Sequence, residues 1–124
     1  FEYCLNYVKE RKQFGKPVAQ FQMVQAMLAD MAMKIESSRL LVHKAAKMLD
    51  NQDKNVIPYS SMAKCFGSDT AMEVTTNAVQ LIGGYGYIKE YPLERMMRDA
   101  KITQIYEGTN QIQRVIIANQ LIRN

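Results

Sequence analysis

Apolar residues recur at alternating steps of four and three along residues 20–50. The positions on this stripe are Val24, Leu28, Met31, Ile35, Ser38, Val42, Ala45 and Leu49. Such spacing keeps one side of a helix facing its neighbours, and that side packs against other helices. The pattern therefore predicts one long amphipathic helix that forms a seam of a helical bundle.

A second long helix is predicted after the polar break at residues 50–53. Pro58 suits its first turn. The pair Gly83 and Gly84 suits its end, because glycine readily adopts the left-handed conformation found after a helix C-terminus. The residues expected on its apolar side are Met62, Ala63, Phe66, Thr70, Ala71, Val74 and Leu81.

Three shorter helices complete the prediction. The first covers residues 1–13, and because no helix start signal precedes it, we expect a first helix that is truncated. Residues 85–87 read as a loop. Pro92 then begins a helix that extends to about Ala100, and Thr109 can cap the last helix. The residues expected to be buried in the last helix are Ile112, Val115, Ile116 and Leu121.

These elements predict an all-α chain, an up-and-down helical bundle that forms a single domain over residues 1–124. Residues 102–108 are read as the connector before the last helix. No stretch alternates apolar and polar residues over a length that would favour a strand.

Composition narrows the classes of function. The chain has 124 residues, of which 48% are apolar and 23% charged, as is typical of one globular domain. Its formal net charge of +4 permits binding of phosphate-bearing small molecules but is weak evidence for nucleic acid. Two cysteines, Cys4 and Cys65, and a single histidine exclude a disulfide framework and a metal site built from cysteines or histidines. No apolar run is long enough to span a membrane.

Three sequence strings carry a family resemblance. They are ERKQFGK at residues 10–16, QLIGGYG at 80–86, and MRDAKI running on to IYEGT between 97 and 109. The match is extended by LADM at 28–31 and QIQR at 111–114. In this order and spacing, the strings closely resemble the C-terminal helical domain of the acyl-CoA dehydrogenases. The resemblance covers essentially the whole chain and implies that an N-terminal helical domain and a central β-domain are absent from it.

The reaction that the resemblance implies is the α,β-dehydrogenation of an acyl-CoA thioester to a trans-2-enoyl-CoA. A base removes the α-proton while the β-hydrogen leaves as a hydride to FAD, and the electrons then pass to an electron-transferring flavoprotein. Glu107 matches the catalytic glutamate of the short- and medium-chain branch. Its neighbours Tyr106 and Gly108 match substrate-binding positions, and Gly108 leaves room for the thioester. From Glu107 and its immediate neighbours alone, the ordinary interpretation is a carboxylate that favours the positive end of the following helix, and it is the surrounding strings that reverse this preference.

Nine residues match positions that contact FAD in the family. They are Arg11, Gln13, Phe14, Gln22, Gln80, Gly83, Gly84, Thr109 and Gln111. The planar guanidinium of Arg11 can donate two parallel hydrogen bonds to a diphosphate. The resemblance implies that this diphosphate belongs to the FAD of a neighbouring subunit. Each position also has a plainer interpretation, such as a solvated helix end, a helix stop at the glycine pair, or a cap at Thr109.

The resemblance also implies a homo-oligomer, a dimer or a tetramer, in which FAD lies across a subunit boundary. Acyl-CoA oxidase chemistry remains open, as does a helical oligomerisation module with no activity of its own. We expect the isolated chain to be inactive. The expected location is the cytoplasm of a bacterium or the mitochondrial matrix of a eukaryote.

Overall fold

The computed structural model describes residues 1–123, and this part of the chain is built almost entirely from helices. Six α-helices follow one another in it: α1 Glu2–Glu10, α2 Gln22–Asp50, α3 Val56–Ile82, α4 Gly84–Tyr87, α5 Leu93–Thr103 and α6 Asn110–Arg123. A small hairpin of β1 Lys12–Gln13 and β2 Lys16–Pro17, followed by a 3-10 turn at Val18–Gln20, joins α1 to α2. The all-α prediction is confirmed.

Helix α3 is the centre of the bundle, since α1, α2, α4, α5 and α6 all pack against it. Its most extensive packing is against α2, and the two helices run antiparallel. Lys44 lies over the ring of Tyr59, whereas Lys34, earlier in α2, pairs with Glu73, later in α3. Small buried residues on α3, such as Ser61, allow this close packing from several sides.

The main apolar core lies where α1, α2, α3 and α5 meet. Its buried members are Cys4, Met31, Val74, Ala78, Ile82 and Leu93. Met31 belongs to the predicted stripe of α2, and Val74 belongs to the predicted apolar side of α3, so both seams are confirmed at the centre of the bundle. The core sits towards the end of α3 that carries Ile82.

The prediction of a helix over residues 1–13 is wrong at its end, because α1 stops at Glu10. The chain turns back at Phe14 and Gly15, whose φ angles of 52° and 78° are both positive. Two central residues with positive φ define the tight turn that best matches the twist of a two-residue hairpin. The predicted loop at residues 85–87 is also wrong, because these residues lie in the short helix α4.

The outer faces of the bundle differ from the predicted pattern. Val42 and Leu49 in α2 and Phe66 in α3 are exposed, although each was expected in a seam. In α6, Ile112, Val115 and Leu121 are also exposed, and the two buried residues are Asn110 and Gln113. Helix α6 therefore turns polar side chains towards the bundle, where they form the hydrogen bonds described below. Within residues 1–123, no helix has both the length and the apolar character needed to cross a membrane.

Candidate functional site

Glu107 lies at the middle of the loop between α5 and α6, in an unusual backbone conformation. Its φ angle is 51°, and Gly108 follows with a φ angle of 89°. A positive φ costs a residue with a side chain on the order of 1–2 kcal/mol, and such strain tends to cluster at functional sites. Phe14 and Gln52 share this conformation, so the backbone geometry agrees with a functional role for Glu107 but does not by itself identify it.

Three hydrogen bonds hold the loop in this conformation. The backbone N–H of Asn110 donates to the carbonyl of Gln104 at 3.0 Å and closes the loop. The ammonium group of Lys64 on α3 donates to the carbonyl of Gly108 at 2.8 Å, and the Gln113 amide donates to the carbonyl of Glu107 at 3.2 Å. A Cβ atom at Gly108 would lie 2.9 Å from Nε2 of Gln113, so a larger residue there would displace the end of the Gln113 side chain.

Asp69 on α3 ties the two ends of the same loop together. Its Oδ1 atom accepts hydrogen bonds from the side-chain amides of Gln104 and Asn110, both at 2.7 Å, and its Oδ2 atom accepts one from Arg114 at 2.6 Å. Burial alone raises the pKa of Asp69, but the three donated hydrogen bonds and the charge of Arg114 outweigh it. The pKa therefore lies below its ordinary value of 3.8.

The sequence interpretation missed Asp69, Lys64, Gln104 and Asn110. The side chains of Asp69 and Lys64 reach the loop from positions 35 to 46 residues away in the sequence. A separation of that length leaves no local spacing to recognise, because only the packing of α3 against α5 and α6 brings the groups together.

The side chains of Tyr106 and Glu107 border a cleft of about 290 Å³, here called the Glu107 cleft. Its other lining residues are Ala63, Lys64, Gly67, Ser68, Ala71 and Thr103. Ala63, Gly67 and Ala71 follow one another at steps of four on α3, so they lie on one side of that helix. This floor of small residues leaves room for a ligand beside an exposed carboxylate, which could accept a proton from it.

A second cleft, the Arg11 cleft, lies at the far end of α3 and has a volume of about 550 Å³. It brings together four of the predicted cofactor residues, Arg11, Gln13, Gly83 and Gly84. The Arg11 guanidinium lies 5.8 Å from the centre of the Tyr85 ring. No atom comes within 4 Å of the place where a Cβ would stand on either glycine, so the backbone there is open to a ligand.

A neighbouring groove of about 720 Å³, the Gln22 groove, contains two further predicted residues, Gln22 and Gln80. Lys16 and Phe21 also line it, with the Lys16 ammonium 4.5 Å from the centre of the Phe21 ring. Phe14 projects from the hairpin and is 92% exposed, with its ring edge-on to Phe21 at 6.2 Å between centroids. The groove is thus lined by a cation, the ring of Phe21, side-chain amides and aliphatic side chains, and Phe14 lies beside it.

The last two predicted cofactor residues, Thr109 and Gln111, line a hollow of about 450 Å³ on the other side of the loop. The Thr109 hydroxyl accepts a hydrogen bond from the backbone N–H of Ile112 at 3.3 Å, so the predicted helix cap is confirmed. Gln111 is exposed at the start of α6.

The predicted residues therefore fall into two groups that lie far apart in one chain. Lys64, in the Glu107 cleft, and Ile82, in the Arg11 cleft, are separated by 18 residues of α3, which is about 27 Å at 1.5 Å per residue. A single copy of the chain does not place Arg11 beside Glu107.

The comparisons with known proteins agree with this fold. A sequence profile of the acyl-CoA dehydrogenase C-terminal domain matches residues 1–122. A probable acyl-CoA dehydrogenase of Mycobacterium tuberculosis is 59% identical over 120 residues, which are 97% of this chain and 31% of that protein. Subunit CarC of the caffeyl-CoA reductase-Etf complex of Acetobacterium woodii is 50% identical over 97% of this chain and 31% of its own length.

A solved structure gives the same result. The structure of butyryl-CoA dehydrogenase from Megasphaera elsdenii is 51% identical and superposes with a TM-score of 0.94, over 97% of this chain and 31% of that one. The chain thus spans about a third of the length of these relatives. The profile match, the identity and the superposition together show that the chain belongs to the acyl-CoA dehydrogenase family and corresponds to its C-terminal domain.

Proposed function

We propose that this chain is the C-terminal helical domain of a flavin-dependent dehydrogenase that converts acyl-CoA thioesters to trans-2-enoyl-CoA, with Glu107 as the base. The observation that carries the proposal is the strained conformation of Glu107 beside the Glu107 cleft. The N-terminal helical and central β-domains of the family would supply the rest of the enzyme.

Glu107 would accept the α-proton of a thioester bound in this cleft. An α-proton is weakly acidic, so its removal depends on a carboxylate fixed close to the carbon and on donors that stabilise charge on the thioester oxygen. The hydrogen bonds to the carbonyls of Glu107 and Gly108 fix the backbone that carries the carboxylate. Tyr106, which borders the same cleft, would contact the substrate, and Gly108 would let the thioester approach.

The residues of the Arg11 cleft fit the diphosphate of FAD. Arg11 offers a planar cationic fork, Gln13 offers an amide, and Gly83 and Gly84 carry no side chain that would keep a ligand from the backbone. The N–H of Gly83 itself already donates to the carbonyls of Val79 and Gln80. Gln22 and Gln80 would add contacts from the Gln22 groove, and Phe14 from the hairpin beside it. Thr109 and Gln111 would add contacts from the hollow on the other side of the loop that carries the base. When bound, FAD would supply the acceptor for the β-hydrogen as a hydride.

The distance of about 27 Å along α3 between the two clefts supports an assembly in which one cofactor is shared by two chains. Arg11 of one subunit would then hold the FAD that faces Glu107 of another. Exposed apolar residues on α2 and α6, such as Leu49 and Ile112, supply surface for such contacts. We propose a homo-oligomer, a dimer or a tetramer, whose electrons pass to an electron-transferring flavoprotein, as the Etf complex of the Acetobacterium relative suggests.

The test is the variant Glu107→Gln in the holoenzyme that contains this chain. The amide has the size of the carboxylate but cannot accept the proton. Under anaerobic conditions, acyl-CoAs of increasing chain length are mixed with the enzyme, and bleaching of the flavin absorbance is followed. We expect the variant to keep its FAD and to lose at least about 1,000-fold in the bleaching rate constant.

The matched control is Glu90→Gln, an exposed glutamate between α4 and α5 that borders none of the clefts described above. It should bleach at the parental rate with the same substrates. Bleaching of the Glu107→Gln enzyme within about tenfold of the parental rate would refute the proposal.

A further inference from the structure

We infer that Asp69 is a positioning residue for Glu107, which it controls by clamping both ends of the loop that carries it. The inference rests on the proposed role of Glu107 as the base. According to this inference, the Glu107 carboxylate is positioned by α3, a helix that is distant in sequence from the loop.

The clamp is symmetric about Glu107. Gln104 lies three residues before it and Asn110 lies three residues after it, and their amides donate to the same atom, Oδ1 of Asp69, at 2.7 Å each. One oxygen atom therefore fixes the two ends of the loop relative to each other and to α3. The backbone hydrogen bond from Asn110 to Gln104 closes the same ring.

The clamp continues to the carbonyl beside the base. Asn110 is only 3% exposed, and while its amide nitrogen donates to Asp69, its Oδ1 atom accepts a hydrogen bond from Lys64 at 2.7 Å. The same Lys64 ammonium donates to the carbonyl of Gly108 at 2.8 Å. A chain of hydrogen bonds thus runs from Asp69 through Asn110 and Lys64 to the peptide group between Gly108 and Thr109, one peptide beyond Glu107.

Arg114 fixes the carboxylate of Asp69 from the opposite side. It donates to Oδ2 at 2.6 Å and also to the backbone carbonyl of Asn110 at 3.1 Å. Both oxygens of Asp69 are therefore occupied, so its rotation is restricted and Oδ1 stays aimed at the loop. This arrangement has no counterpart at Glu73, one turn later on α3, whose carboxylate pairs with Lys34.

Loss of the clamp should loosen the loop without emptying the apolar core. Glu107 and Gly108 are exposed, and Asp69 is not among the buried core residues. The left-handed conformation of Glu107 is intrinsically unfavourable, so it persists only while its surroundings hold it. A displaced carboxylate still lies near the cleft, but less often at the distance at which a proton can transfer.

The experiment uses the holoenzyme variants Asp69→Ala and Asp69→Asn, with Glu73→Gln as the matched control on the same helix. The rate constant of flavin bleaching is measured anaerobically at saturating concentrations of the acyl-CoA that bleaches the parent fastest. Flavin content and substrate dissociation constant are measured beside it. Because the rate constant is taken per bound flavin, a smaller amount of folded enzyme does not change it.

We expect Asp69→Ala to lower the rate constant about 100-fold, the effect of moving a reacting group by about 1 Å, with flavin content and substrate affinity retained. Asp69→Asn can keep an oxygen towards Gln104 and Asn110, but its amide nitrogen then faces Arg114 and cannot accept the hydrogen bond from it, so this variant should recover only part of that loss. Glu73→Gln should match the parent. If Asp69→Ala does not accumulate as holoenzyme, Gln104→Ala removes one arm of the clamp and should lower the rate constant in the same direction.

A parental rate constant in Asp69→Ala or, where that variant does not accumulate, in Gln104→Ala would overturn the inference. A loss of flavin content or substrate affinity with an unchanged rate constant would also overturn it, because a residue with a purely structural role would give that result. The Glu107→Gln enzyme is measured in parallel to separate the two proposals. If Glu107→Gln is inactive and Asp69→Ala is normal, only the clamp fails; if Glu107→Gln is active, the proposed function fails and the clamp fails with it.

Discussion

The substitution Gly108→Ala tests how tightly the structure constrains the loop beside Glu107. An alanine at a φ angle of 89° carries a backbone strain of about 1–2 kcal/mol. Its Cβ would also lie 2.9 Å from Nε2 of Gln113, whose buried side chain must shift. That shift weakens the hydrogen bond from Gln113 to the carbonyl of the exposed Glu107 and adds about 0.5–1.5 kcal/mol. We expect a total loss of about 1.5–3.5 kcal/mol in the free energy of unfolding.

The assay is urea unfolding of the holoenzyme that contains this chain, followed by circular dichroism, with bleaching measured on the folded variant. The matched control is Gly67→Ala in the middle of α3, where no atom lies within 4 Å of the new Cβ. Alanine is favoured over glycine inside a helix by about 0.5–1 kcal/mol, so this control should be neutral or stabilising. Equal stability of Gly108→Ala and the parent would refute the reasoning.

Two further predictions concern titratable groups. The pKa of Asp69 is lowered in the folded chain, so its contribution to stability is complete above about pH 4 and is lost as the pH falls, because the unfolded chain takes up the proton first. The difference in the free energy of unfolding between the parent and Asp69→Asn, measured in urea, should be smaller at pH 3 than at pH 6. A difference that does not change with pH would contradict this. Burial raises the pKa of the thiols of Cys4 and Cys65, so alkylation by iodoacetamide should be slow in the native chain and fast in urea; rapid native labelling would contradict it.

Local patterns in the sequence predicted the two long helices well. The end of α3 at Ile82 followed from the glycine pair at Gly83 and Gly84, and the centre of the α2 stripe at Met31 is buried as expected. These features depend on residues that are close in sequence, so a helical period is enough to find them.

Features that depend on distant contacts were not predicted. The α6 periodicity favoured burial of Ile112 and Val115, yet Asn110 and Gln113 face the bundle because their hydrogen-bonding partners lie on α3 and in the loop. The hairpin after α1 was missed because its turn uses Phe14, a residue that rarely adopts a positive φ.

The candidate site shows the same division. Glu107 was recognised from the residues around it, whereas Asp69 could not be, because its link to the loop exists only after α3, α5 and α6 have packed. A local motif is therefore enough to propose Glu107 as the base, whereas the side chains that hold its loop are visible only in the folded structure.

The central claim is that Glu107 removes the α-proton, and exchange of that proton with deuterium tests it most directly. The holoenzyme is incubated in deuterium oxide with a CoA thioester that has sulfur in place of the β-carbon, so that no β-hydrogen can leave. Incorporation at the α-carbon is followed by mass spectrometry. The account predicts rapid incorporation with the parent and almost none with Glu107→Gln; equal incorporation by both would contradict it.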